Sequence, residues 1–135
     1  MLKINNKEKM KRDKIFYWTL TSLVAFSGFM AGIMYFASPY IGKEFKHLGF
    51  PDYFRNELAI ASILGSFAII LPMVSGQIKE WAYAGFAITY ISATTAHIAV
   101  EGVSAAISPL VALSFLIISY VYYAKLNKHK AVAGD

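Results

Sequence analysis

Cysteine is absent from the 135 residues of this chain. A disulfide framework, a thiol-exchange pair, a thiolate zinc site and an iron–sulfur cluster are therefore excluded. Charge is scarce as well. Asp, Glu, Lys and Arg make up 16% of the residues, where an average globular domain carries about 25%. There is no P-loop, no GxGxxG and no persuasive Ser–His–Asp order. Of three histidines, only His97 lies inside an apolar stretch. A haem held by two facing histidines, or a metal held by several ligands, lacks its donors, so no intrinsic cofactor and no metal is expected.

What the chain has is apolar residues, which form 57% of it, against about 45–50% in globular proteins. A soluble fold this short could not hide so much apolar surface, because small domains bury the smallest share of theirs. Long apolar runs account for the excess and point to a membrane protein. A soluble enzyme, a DNA-binding module and a disordered chain are set aside. The net charge is +5. The basic residues flank apolar runs, so they speak of anionic lipid and topology, with no nucleic-acid partner.

Phe16 to Ala37 carries no charge over 22 residues, enough to span a hydrocarbon core of about 30 Å. It is too long for the apolar core of a cleaved signal peptide, about 7–15 residues, and no small-residue cleavage site follows. Ser38 to Glu57 is polar and aromatic, which predicts a short amphipathic helix and a turn at Gly49-Phe50-Pro51. Second, third and fourth spans are expected near 54–73, 81–100 and 105–123. Pro72 should end the second, and Pro109 suits the first turn of the fourth. The predicted fold is all-α: a four-transmembrane-helix bundle over 15–124 with an amphipathic segment between helices one and two. Basic tails, 1–14 and 125–135, bracket it.

Four spans put both termini on one side. Ten of the thirteen basic residues then fall on that side, counting Lys79 in the 74–80 loop. The positive-inside rule makes that side cytoplasmic.

Gly28 and Gly32 form a GxxxG, and Ala61 and Gly65 repeat the small-xxx-small spacing. Small residues let helix backbones approach closely in lipid. They serve either packing within the bundle or a homodimer. Glu101 lies four residues beyond His97, so the two share a helix face, and ionisable groups at membrane depth hint at function. One reading is an interfacial histidine bonded within the bundle. The other is a ligand or proton site at the outer mouth, joined by Arg55 and Glu57, with His47, Asp52 and Tyr53 nearby and Tyr90 and Thr94 lining its deeper part. Such a pocket suits a quinone or a lipid head group. Arg55 pairing with Glu101 would instead be a structural salt bridge. Lys79-Glu80-Trp81 reads as a helix start, with Glu80 favoured by the helix dipole by about 0.3–1 kcal/mol and Trp81 as an anchor. The tyrosines and phenylalanines read as belt and core.

Leu48-Gly49-Phe50-Pro51, Tyr53-Phe54, Leu64-Gly65 and Pro72 follow in an order that resembles the DoxX-like family of small membrane proteins. The block Lys79 to Phe86, the pair Ala96-His97, the opening Lys14 to Trp18 and the pair Ser119-Tyr120 extend the likeness over about residues 14 to 124. The order Glu101-Gly102 departs from the Gly-Asp that follows the histidine in many relatives. The resemblance implies a four-helix bundle in a bacterial inner membrane. The family takes its name from a membrane subunit of an archaeal thiosulfate:quinone oxidoreductase, so it also carries an implication of quinone chemistry. The resulting expectation is an accessory or lipid/quinone-binding membrane subunit that is not an enzyme on its own. The alternatives are a quinone-linked redox subunit using His97 and Glu101 for proton transfer with a redox partner, or an oligomeric small-solute carrier.

Overall fold

A computed structural model describes the backbone of residues 2–133 and the side chains of residues 7–128. Five α-helices follow one another: α1 (Leu2–Ala37), α2 (Pro39–His47), α3 (Asp52–Ile70), α4 (Gly76–Val100) and α5 (Ile107–Ala133), with a 3-10 turn at Val103–Ala106 before the last. No strand occurs among the described residues. The long helices close a ring in which α1 and α4 each pack against both α3 and α5.

Local chemistry sets the boundaries. Ser38 caps α2, its hydroxyl accepting from the Ile41 N–H, and Pro39 follows at the first helical position. There its missing N–H costs little. Gly49 turns the chain at φ +91°, and Pro51 opens α3 in extended geometry. α3 stops at Ile70 because Leu71, the residue before Pro72, is pushed to an extended backbone (ψ 124°). Ser75 caps α4. Gly102, at φ +106°, separates α4 from the 3-10 turn, a conformation that a side chain would strain. Pro109 lies in the first turn of α5.

The helices run beyond the expected spans. The 1–14 and 125–135 stretches are continuous with α1 and α5 as far as the described backbone runs, from Leu2 to Ala133. Nothing breaks those helices, because polar residues propagate a helix as readily as apolar ones where no Gly or Pro intervenes. The third helix starts earlier than residue 81, at Gly76, so Lys79 lies in the first turn of α4, in keeping with Lys79-Glu80-Trp81 as a helix start and not with the 74–80 loop, and is only 6% exposed.

Among the described residues, three helices are long and apolar enough to cross a membrane: Lys7–Ala37, Asp52–Ile70 and Val103–Lys128. α4 has 25 residues but spends many of them on Gly, Thr, Tyr and the Lys79-Glu80 pair. Large apolar side chains such as Phe26, Leu64, Ile88 and Ile117 point outward, as suits a lipid-facing surface. The interior is thin and aromatic, built on Tyr17, Val24, Ile69, Tyr83, Phe86, Leu116 and Tyr123. Gly28 lets α1 approach Ser66 and Phe86, and Gly32 lets it approach Ile63 and the Ala59 carbonyl. α2 is held by an aromatic ladder, with Tyr35 edge-on to Phe45 at 5.1 Å, then Phe50, then Phe54.

Candidate functional site

At the end opposite the termini, the last turn of α4 holds His97 and its C-cap Glu101 on one face. His97 Nδ1 lies 2.9 Å from Glu101 Oε2. A carboxylate can only accept, so Nδ1 carries the proton and Nε2 is the imidazole's remaining acceptor. Both side chains are about a quarter exposed (24% and 25%). His47, from the end of α2, brings its Nε2 to 3.6 Å from the other carboxylate oxygen, Oε1. Glu101 thus sits between two imidazoles, one on each side of the α2–α4 junction.

The other residues expected there do not converge on this dyad. Arg55 reaches toward α2, where its guanidinium lies against Gly42, and pairs with Asp52 at 3.9 Å. Its Nε is buried without a hydrogen-bond partner. The Arg55–Glu101 salt bridge is not formed: Arg55 pairs with Asp52, and Glu101 with His97 and His47. Glu57 is exposed and makes no ion pair among the described residues. Tyr90 stacks on Phe86 at 6.0 Å and packs against the core, while the Thr94 hydroxyl donates to the Tyr90 carbonyl one turn back. Of the small residues, Gly28 and Gly32 are occupied by α3, Gly65 faces the Phe86 ring, and Ala61 lines an exposed groove between α3 and α4.

The half of the bundle that carries the termini holds a second polar centre. The Thr21 and Ser119 hydroxyls share a buried hydrogen bond of 2.8 Å, and Ser119 shares another of 2.8 Å with the Tyr83 hydroxyl. This chain ties α1, α5 and α4 together. Tyr17 stacks on Tyr123, whose ring lies tilted against that of Tyr83. Lys79 Nζ donates to the Ile69 carbonyl at 3.0 Å, one of the groups left open at the end of α3. Asp13 is buried too, and its Oδ2 has no hydrogen-bond partner. Beside these groups opens a cavity of about 370 Å³ bordered by Lys14, Tyr17, Trp18, Lys79, Tyr123 and Asn127.

A family model described as the DoxX-like family matches residues 19–119. The chain belongs to the DoxX-like family. No curated protein and no solved structure matches it. Family membership and the apolar helices together make this a multi-pass membrane protein.

The DoxX-like match contains both the His97–Glu101 dyad and the Thr21–Ser119–Tyr83 hydroxyl chain. The cavity straddles its edges: Lys79 lies inside the match, whereas Lys14, Tyr17, Trp18, Tyr123 and Asn127 lie outside. Sequence reasoning passed over this centre. The tyrosines read as belt and core without partners, and Lys79 reads only as part of a helix start and as a charge for topology. One signal was available. Thr21 and Ser119 are polar residues inside runs otherwise free of charge, and such residues turn inward to find partners.

Proposed function

We propose that this DoxX-like protein is a four-span bundle of the bacterial inner membrane, with both termini cytoplasmic, that binds a quinone or a lipid head group at its outer mouth. In this reading α4 is the third of the four spans, sheltered by α3 and α5, and the chain acts as an accessory membrane subunit. The carrying observation is the 2.9 Å contact between His97 Nδ1 and Glu101 Oε2. A carboxylate accepting from Nδ1–H fixes the tautomer and leaves Nε2 as an acceptor that can take a proton from a quinol hydroxyl or, once protonated, give it to a quinone carbonyl oxygen within hydrogen-bond reach. His47 Nε2 lies against the other carboxylate oxygen of Glu101. Electrons for any redox step would come from a partner protein, because this chain supplies no thiolate and few histidines. A homodimer through the first helix is not part of the proposal, since Gly28 and Gly32 are packed against α3.

Native mass spectrometry of the protein in mild detergent, wild type beside His97→Ala and Glu101→Gln, tests this reading. A bound quinone or lipid present in the wild type and lost in both variants is the expected result. Equal retention in all three would overturn it.

A further inference from the structure

We infer that α2 is a pH-sensitive lid over the outer mouth, latched to α4 by the His47–Glu101 contact. This rests on the outer-mouth reading and adds its regulation. α2 is a nine-residue helix between two bends of the chain. Ser38 is extended at its start (ψ 117°). Gly49, just past its end, stands at φ +91° with nothing within 4 Å of where a Cβ would lie. Element-terminal positions of this kind are where lids hinge. Toward α3 the helix is seated by Arg55 against Gly42 and by Lys46, 3.8 Å from Asp52. Toward α4 it ends in His47, whose Nε2 lies 3.6 Å from Glu101 Oε1. That distance is too long for a hydrogen bond from a neutral imidazole, yet within the reach of an ion pair. The contact therefore holds weakly while His47 is neutral and gains a Coulomb attraction once it is protonated.

The surrounding charges leave the imidazoles in control. α2 itself carries Lys43, Glu44 and Lys46, and α3 brings Asp52, Arg55 and Glu57. Asp52 is engaged by both Lys46 and Arg55. α4 brings His97 and Glu101. The part of α1 before α2, the 3-10 turn and the first turns of α5 carry no charged residue. Tyr35, Tyr40 and Tyr53 are the phenols of this end, and phenols titrate near about pH 10. Between about pH 5 and 8 it is histidine that changes charge. The His47 side chain is 57% exposed, so its proton follows the water at the mouth. His97 occupies the other oxygen of Glu101, which leaves Oε1 to the lid. The latch is therefore closed below the imidazole range and loosens as pH rises through it. In stronger acid Glu101 takes a proton and the latch is lost again.

The chain has no cysteine, so Lys43→Cys with Ala99→Cys places two spin labels on exposed positions of α2 and α4 without background. Pulsed electron–electron resonance on the full chain in detergent, with no quinone added, reads the distance between them. From about pH 8 to about pH 5.5 the ratio of short to long distances should rise about two- to fivefold, the range of a partly exposed ion pair. His47→Gln and Glu101→Gln should each hold the pH 8 ratio at both pH values, whereas His97→Gln should keep the shift. No shift in the parent, or a shift that persists in His47→Gln, overturns the latch. A second pair of labels at Leu64 and Ile88, both lipid-facing, should keep one distance throughout. A pH-dependent change there would mean that the whole bundle rearranges, and would also overturn the lid. The outcome is separable from ligand binding. A lid that moves in a protein retaining no quinone or lipid leaves the latch standing and the binding reading fallen, and a fixed lid over a retained ligand does the reverse.

Discussion

The hydroxyls of Tyr83 and Ser119 meet at 2.8 Å although 36 positions separate them in the chain. Ser119 is fully buried and shares its other hydrogen bond with Thr21, 98 positions away. One small hydroxyl therefore couples three helices. Ser119→Ala should leave the Thr21 and Tyr83 hydroxyls without that partner and destabilise the bundle by about 1–3 kcal/mol. Tyr83→Phe, which removes only one of the two bonds, should cost less. Denaturation in mixed micelles followed by circular dichroism reads the difference, and an unchanged midpoint for Ser119→Ala would refute the coupling.

A methyl group added at Gly28 would meet Ser66 Oγ at 2.6 Å and the Phe86 ring at 2.9 Å, whereas one added at Gly85 meets nothing within 4 Å. Gly28→Ala should thus destabilise by about 1–3 kcal/mol, as overpacking does. Gly85→Ala should be neutral or mildly stabilising, since alanine is the better helix former by about 1 kcal/mol. The same micelle unfolding compares them. Equal effects would mean that the α1–α3–α4 contact is looser than described.

Glu101 holds His97 in the Nδ1–H form. Nitrogen-15 spectra of imidazole-labelled protein should show that tautomer in the wild type at neutral pH. Glu101→Gln should shift His97 toward the Nε2–H form that free imidazole favours and leave the tail histidine, His129, unmoved. A His97 signal that ignores the substitution would remove Glu101 as its orienting partner.

Arg55 lies against Gly42, which has no side chain to block it. Gly42→Ala should push the guanidinium out of this seat and loosen α2 from α3. Faster amide exchange in Pro39–His47 than in the wild type is the expected outcome, with α4 and α5 unchanged.

How far the sequence foretold this arrangement depends on the range of the interaction. Ser38-Pro39, Gly49, Pro51, Pro72 and Ser75 act on their own neighbours, and each marks a boundary where the chain turns. The His97–Glu101 pair was legible for the same reason, being one helical turn apart. His47 joining Glu101, Arg55 turning to Asp52, and Thr21 meeting Ser119 depend on which helix faces which. No spacing along one helix encodes that. Tyr17, Tyr83 and Tyr123 show the difficulty most plainly. An amphipathic ring near the end of a span suits the membrane interface and the bundle interior equally well, and here all three are buried.

The composition of α4 bears on how the molecule is made. α1, α3 and α5 are apolar enough to partition into a bilayer one at a time. α4 is not, and both its flanks are taken up by α3 and α5. On the four-span reading its insertion is expected to be completed by α5, which covers one of its flanks. A chain truncated at Gly102 should therefore leave α4 accessible to a water-soluble label during synthesis, while the full chain protects it. The Thr21–Ser119–Tyr83 hydroxyl chain, which needs the first, third and last of the apolar runs named by Phe16, Trp81 and Pro109, can close only at that final step.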